Sequence, residues 1–296
     1  MKNTEQAYRS GVMKTLESKS ELSEIISQIK CSGKKIGLVP TMGFMHEGHL
    51  TLIRESKKKA DITVVSIFVN PAQFNEKKDF LNYPKSLIAD SEACKKEGAD
   101  FLFLPTPEEI YPNGIPDLEM KIPHLMKNLC ALTRPGHFEG VLLVISNLFH
   151  TVQPDIAFFG KKDYQQYLII KAFVGFCGFK TDVVGLNTIR ETDGLAMSSR
   201  NARLTKKERE AASLIPRAFR IAKDQVSKGE RVPGVIREIM NDIILSSALT
   251  KIDYIEILDS QDLSEIEFMR GNILVAIAVH VGDIRLIDNM IFTIPD

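Results

Sequence analysis

The sequence predicts an α/β protein, a Rossmann-like, doubly wound parallel sheet followed by a smaller α+β domain. Through the first two thirds of the chain, short β-branched or aromatic runs alternate with longer segments of helical period. That alternation is the signature of strand–helix–strand units and a parallel sheet. After Asn187 a polar loop and a highly charged helical stretch interrupt it. The final stretch then alternates apolar and polar residues, as antiparallel strands do. The expected domains are residues 1–187 and 188–296.

KIGLVP (35–40) reads as the first strand, and DITVVSIFVN (61–70), ADFLFLP (99–105), PDIAFFG (154–160) and TDVVGLN (181–187) as the next four. Between them lie four helical segments: HEGHLTLIRESKKKA (46–60), KSLIADSEACKKEGA (85–99), EGVLLVISNLFHTVQ (139–153) and DYQQYLIIKAFVGFCG (163–178). Several end on the Gly or Lys that terminates helices. In the second domain the loop TIRETDGLAMSSRNARL (188–204) leads into one charged helix, TKKEREAASLIPRAFRIAKDQVSKG (205–229), and a second, VPGVIREIMNDIILSS (232–247). Strands follow at KIDYIEILDS (251–260) and NILVAIAVHVGDIRLIDNMIFTIP (272–295).

The bulk composition narrows the function classes. The chain has 296 residues, 44% hydrophobic and 26% charged, which suits a globular protein with sizeable cores. Lys+Arg and Asp+Glu are 38 each, so no net field favours nucleic acid as a partner. The N-terminal stretch MKNTEQAYRSGVMK has no apolar run, and no uninterrupted apolar segment reaches the roughly 20 residues of a membrane helix. A cytoplasmic location and no membrane partner are expected. The four cysteines, Cys31, Cys94, Cys130 and Cys177, form no C-x-x-C pair and read as free, mostly buried thiols.

In a doubly wound sheet, ligands bind beyond the carboxyl ends of the strands, and the polar residues gather there. KIGLVP is followed by Thr41, Met42, His46 and His49; DITVVSIFV by Asn70 and Gln73; PDIAFF by Gly160, Lys161, Lys162, Asp163 and Gln166; TDVVGLN by the loop Met197 to Arg200. His46 and His49 fall in the first turn of a helix, on one face at i, i+3, beside backbone N–H groups that attract anions. Gly48 would leave room for a phosphate to approach the backbone. Two other readings stand beside this one. H-E-G-H has a distant likeness to the zinc motif H-E-x-x-H, but that motif needs i, i+4 spacing in mid-helix. Two histidines that merely cap a helix are equally compatible with the pattern. Lys162, beside Lys161, can bring an ammonium to an anion. Met197, Ser198, Ser199 and Arg200 offer hydroxyls and a guanidinium in a mobile loop. Asn70 and Gln73 are neutral amides suited to hydroxyl and carboxylate groups. The motifs of dinucleotide, Walker-type and serine-hydrolase sites do not occur in the sequence.

These residues occur in five ordered blocks: PTMGFMHEGH (40–49), IFVNPAQF (67–74), RPGHFEGV (134–141), QPDIAFFGKKDYQQ (153–166) and DGLAMSSRN (193–201). In identity, order and spacing they resemble the pantoate–β-alanine ligase (pantothenate synthetase) family. That family belongs to the nucleotidyltransferases sharing H-x-G-H with class I aminoacyl-tRNA synthetases. The resemblance implies a two-step reaction. Pantoate carboxylate attacks the α-phosphate of MgATP, giving pantoyl adenylate and pyrophosphate; β-alanine then displaces AMP to give pantothenate. It also implies site residues. Met42, Gly43, Phe44, Met45, His46, Glu47, Gly48 and His49 would contact ATP, with His49 as proton donor and His46 and Lys162 at the phosphates. Gly160, Lys161, Lys162 and Asp163 would line the nucleotide, and Ile189 would meet adenine through its backbone. Met197, Ser198, Ser199 and Arg200 would close over the triphosphate. Gln73 and Gln166 would hold pantoate, with Asn70 nearby. No protein ligands to Mg2+ are implied, and a homodimer is. The chain departs from the family where Cys130 and Ala131 replace an acid and a glycine, where Lys85 replaces arginine in Y-P-R, and where Lys161 replaces glutamate; that extra cation is expected to point outward. The alternatives are an adenylyltransferase acting on a phosphate-bearing substrate, which would want a further cationic site, and a catalytically inactive nucleotide- or tRNA-binding module.

Overall fold

The computed structural model describes residues 12–294. Residues 1–11, the larger part of the N-terminal stretch without an apolar run, and the last two residues lie outside the described range. Two compact units are present. One comprises the chain up to Ile122 with Arg134–Lys161 and Ile169–Asn187; the other comprises Pro123–Thr133, Lys162–Leu168 and the chain from Thr188 onward.

The first unit is built on a parallel sheet of six strands: β1 (Lys14–Leu16), β2 (Ile36–Thr41), β3 (Ile62–Ile67), β4 (Phe101–Phe103), β5 (Ile156–Gly160) and β6 (Asp182–Leu186). Their order is β1-β4-β3-β2-β5-β6. All five expected strands are present. The sixth, β1, is three residues long, too short to show a period, and forms an edge by pairing Lys14 to Leu16 with Phe101 to Phe103. Residues 36–39 of β2 and 62–66 of β3 are buried throughout, as strands covered on both faces must be. A further helix, Lys19–Cys31, was not among the expectations, although Leu22, Ile25, Ile26 and Ile29 carry its period and Ser18 caps it.

The chain runs outward from β2 through β3 to β4, then returns to the other side of β2 for β5 and β6. Adjacent strands β2 and β5 therefore define a topological switch point, where the crevice beyond the strand ends accepts a ligand. The helix Glu47–Lys59 approaches β2 closely because Gly37 has no side chain. A Cβ on Gly37 would lie 2.2 Å from Ser56 Oγ. Ser56 in turn shares a buried hydrogen bond of 2.8 Å with Thr63, so the helix that starts at the His-Glu-Gly-His segment is seated on the two central strands.

The second unit holds an antiparallel sheet, β7 (Thr250–Asp259), β8 (Gly271–Val281) and β9 (Ile284–Ile294), in that order. Its helices, Leu214–Ser227 and Pro233–Ile244, contribute Ile215, Phe219, Ala222, Ile236 and Met240 to a core shared with Ile255, Ile273, Val275 and Ile277. The single charged helix expected over 205–229 is two helices, Lys206–Ala212 and Leu214–Ser227. Pro216 explains the break: its ring clashes with the carbonyl four residues back, but in the first turn of a new helix its missing N–H costs nothing. All four cysteines are free, with Cys94 and Cys130 buried and Cys31 and Cys177 exposed, so burial is less general than expected. Burial, assisted by the Asp90 charge, pushes the Cys94 thiol up to about 12. Among the described residues, no helix is long and apolar enough to cross a membrane.

Candidate active site

Thr41 ends β2, and the next residues turn sharply before the helix Glu47–Lys59 begins. Gly43 (φ +82°) and Phe44 (φ +52°) lie in the left-handed region, a costly pair of conformations that needs outside support. The support is Asp90, 3% exposed in the helix Leu87–Lys96. Its carboxylate accepts the Phe44 N–H at 2.8 Å and the Met45 N–H at 2.7 Å. The Thr41 hydroxyl accepts the Gly43 N–H at 3.2 Å. Asp90 was not among the expected site residues. An acid on the buried face of an otherwise amphipathic helix, one turn before Cys94, is the signal that marks it.

His46 is the N-cap of the helix. Its Nδ1 accepts the Gly48 N–H at 3.2 Å, while His49 Nδ1 accepts the His46 N–H at 3.4 Å. The two rings thus form a capping box in which imidazole replaces the usual hydroxyl and carboxylate. Their centroids are 4.1 Å apart and their planes tilted by 31°. An imidazole whose Nδ1 accepts a hydrogen bond carries its N–H at Nε2 when neutral. Capping therefore sets the tautomer of both rings, so the capping and phosphate-binding readings are compatible. Two expectations change. The Gly48 and His49 N–H groups, expected to meet an anion, are engaged within the turn by His46. Gly48 makes room for the His46 ring, since a Cβ there would lie 2.9 Å from His46 Cε1. Glu47 is exposed and pairs along the helix with Arg54, which also holds Glu97 at 2.7 Å. That hydrogen bond from Arg54 holds the Glu47 carboxyl below its ordinary value.

After β3 the chain forms a short turn, Pro71–Gln73, capped by Asn70. Asn70 is 1% exposed and its amide is fully engaged. Nδ2 donates to Gln73 Oε1 and the Gly140 carbonyl, while Oδ1 accepts from the Ala72 N–H and the Tyr111 hydroxyl. Its contacts are those of a residue that orients Gln73, with no donor or acceptor left over for a substrate. Gln73 itself is 8% exposed and donates to Met42 Sδ at 3.0 Å, joining the turn to the loop after β2. The Gln73 carbonyl accepts from Arg134 Nη2 at 3.2 Å and meets His137 Nδ1 at 2.8 Å. Arg134, from the RPGHFEGV block, thus anchors this turn together with His137. The helix His137–Val152 can lie directly on it because of Gly140. Gly160 ends β5 beside β2, with open space where its side chain would be, and Lys161 follows it, half-buried where an outward position was expected.

The remaining candidates belong to the second unit. Lys162 is mostly buried, with its ammonium 3.7 Å from the Asp163 carboxylate. Gln166 is half-buried on the following helix, Tyr164–Cys177, whereas its neighbour Gln165 is buried and holds the Leu125 and Asn128 carbonyls. The Ile189 carbonyl accepts the Met197 N–H at 2.9 Å, so the expected adenine contact and the Met-Ser-Ser-Arg loop share one bond. Ser198 caps the turn Ser199–Arg203 by accepting the Arg200 N–H at 3.3 Å; Ser199 is buried. Asn201 ties the loop to Glu191, and Arg209 pairs with Glu191 at 2.6 Å and Asp193 at 2.7 Å. Of the departures from the family pattern, Lys85 is exposed. Cys130 is buried, with Tyr254 Oη 3.3 Å and Arg285 Nη2 3.6 Å from its sulfur. Among the described residues, no three His, Cys, Asp or Glu side chains gather as a metal site.

Comparison with known proteins agrees with the resemblance. The family model for pantoate-beta-alanine ligase matches residues 14–291. The pantothenate synthetase of Leptospira interrogans is 52% identical over 275 residues, covering 92% of this chain and 96% of that one. The enzyme of the same name from Caldicellulosiruptor saccharolyticus is 44% identical over 271 residues, covering 92% and 96%. Among solved structures, pantothenate synthetase from Thermus thermophilus superposes with a TM-score of 0.88 at 34% identity, over 94% of this chain and 99% of that one. Pantoate-beta-alanine ligase from Francisella tularensis, complexed with Beta-gamma ATP and beta-alanine, gives 0.78 at 32% identity, over 94% and 97%. With a family-model match and a curated relative at 52% identity, both along nearly its whole length, and a fold that superposes on the solved structures, this chain belongs to the pantoate–β-alanine ligase family.

Proposed function

We propose that this chain joins pantoate to β-alanine at the expense of MgATP, and that the residues above carry the steps as follows. At neutral pH a carboxylate and an amine form an unreactive salt, and adenylation supplies a leaving group. In the first step a pantoate carboxylate oxygen attacks the α-phosphorus and pyrophosphate departs. In the second the β-alanine amine attacks the acyl carbon, the acyl–phosphate bond breaks, and AMP leaves as the amine loses its proton. Little covalent chemistry falls to the protein in the first step; positioning and neutralisation of phosphoryl charge dominate. His46 and His49 donate from Nε2 to the phosphates, His49 as the proton donor. Lys162 adds an ammonium, with Gly160, Lys161 and Asp163 beside it. Ile189 meets adenine and Met197 to Arg200 cover the triphosphate. Gln73 and Gln166 bind pantoate, and Asn70 acts through Gln73. Mg2+ arrives with ATP, on its phosphates. A cytoplasmic homodimer completes the reading.

The single observation that carries this reading is the pair of imidazoles at the switch point of the sheet, both fixed by Nδ1 capping as Nε2–H donors. The test omits one substrate at a time. Pyrophosphate should appear with ATP and pantoate alone, and pantothenate only when β-alanine is added; pyrophosphate release that ignores pantoate refutes the assignment. Gln73→Ala should raise KM for pantoate at least about tenfold, as loss of a hydrogen bond to a charged group does, with KM for ATP little changed. The opposite split would remove Gln73 from the pantoate site.

A further inference from the structure

Asp288 and Asn289 lie side by side on β9, 3% and 8% exposed, and neither was among the candidates read from sequence. A buried carboxylate is retained only where its partners compensate its lost hydration. Here the partner is Arg190. Its Nη1 donates to Asp288 Oδ2 at 2.6 Å and its Nη2 to Oδ1 at 3.0 Å, a bidentate pair. The same two nitrogens reach the Gly194 carbonyl and the Asn289 carbonyl, each at 3.0 Å. The Asn289 side chain then donates from Nδ2 to the Lys162 carbonyl at 2.7 Å.

Two separate pieces of backbone thereby meet on one dipeptide. Arg190 follows Ile189, whose carbonyl takes the Met197 N–H, and a further bridge joins Arg190 to Ala196. The Arg190 side chain, carried at the neck of this loop, reaches the Gly194 carbonyl in its turn. Asn289 grips the turn that carries Lys162. We propose that Asp288 and Asn289 are positioning residues for adenylation, setting the neck of the Ile189–Met197 loop and the Lys162 turn in register on one rigid strand. This rests on the reading above, in which Lys162 and Met197 to Arg200 serve ATP. Burial raises the Asp288 carboxyl above its ordinary value, against the opposing pull of Arg190, and the Lys162 charge also acts on it. The carboxylate therefore links both elements electrostatically as well as through hydrogen bonds.

Asp288→Asn and Asn289→Ala test the proposal, with thermal denaturation to verify folding. Each variant is assayed separately for pantoate-dependent pyrophosphate release and for conversion of synthetic pantoyl adenylate with β-alanine. Adenylation should fall about 10- to 100-fold, the scale of an ångström-sized misplacement, through higher KM for ATP or lower kcat. KM for pantoate and the second half-reaction should stay within about threefold of wild type. Equal loss in both halves would mean a merely structural role, and unchanged adenylation would mean no role; either overturns the proposal. If Asp288→Asn does not fold, Asn289→Ala decides alone. Lys162→Ala is run in parallel. If it keeps full adenylation, the reading of Lys162 fails and this inference falls with it. If it loses adenylation while folded Asn289→Ala does not, the inference alone fails.

Discussion

His49→Ala should lower the rate of pyrophosphate release by about two to four orders of magnitude, the range typical of a positioned proton donor. The alanine variant alone is ambiguous, because His49 Nδ1 also takes the His46 N–H and so helps to start the helix. His49→Gln separates the two tasks. Glutamine at this third helical position can reach back to the N-cap N–H as in an ordinary capping box, but has no imidazole. Its melting temperature should stay near that of the wild type while its turnover falls as far as that of the alanine variant. Near-normal turnover in His49→Gln, measured by pantoate-dependent pyrophosphate release, would reduce His49 to a capping residue.

Gly140→Ala should destabilise the protein by about 3 kcal/mol or more, the upper range for overpacking. The sign is informative, because glycine within a helix ordinarily costs about 0.5–1 kcal/mol relative to alanine, so the exchange would normally help. Here the added Cβ would lie 2.2 Å from the Ala72 oxygen, 2.4 Å from its carbonyl carbon and 2.7 Å from the Gln73 nitrogen. All three are backbone atoms, and none can rotate away. Either the helix His137–Val152 or the Pro71–Gln73 turn must move, which breaks the Asn70–Gly140 bond and displaces Gln73. A fall in melting temperature of roughly 6–12 °C is expected, with weaker pantoate binding in the protein that remains folded. An unchanged melting temperature would show that the close approach is not rigid. Comparison with Gln73→Ala separates the side chain from its support, since that variant removes the amide and leaves the turn in place.

The parts of the fold carried by local pattern were legible: β2 to β6 lie in apolar runs, and β9 largely alternates as expected, whereas β8 departs from the expected alternation because every residue from Ile273 to Val279 is buried. The three-residue β1 shows no period, and the break at Ser213 depends on one proline whose effect a charged, helix-favouring context conceals. Of the candidate site, residues that follow strand ends could be placed because topology dictates where ligands go in such a sheet. Their supports could not. Asn70 and Gly140, or Gln73 and His137, meet across long stretches of chain, and no spacing rule anticipates such contacts. The histidine cap was hidden for another reason, since histidine is not a favoured N-cap residue and its use here follows from Gly48 admitting the ring. Arg190, Asp288 and Asn289 resemble ordinary surface polar residues until β9 brings them together.

Asp90 also bears on competition for the site. Loops that present consecutive main-chain N–H groups commonly hold any small oxyanion, inorganic phosphate included. In this chain the Phe44 and Met45 N–H groups already face a carboxylate of the protein itself. A free anion arriving at that loop meets a like charge instead of open main-chain donors. On the function proposed above, selectivity for nucleotide over free phosphate rests on groups that together recognise more than one phosphoryl group, the two imidazoles and Lys162 among them, and an inhibitor built to fill this end of the site should carry acceptors spaced for the two rings.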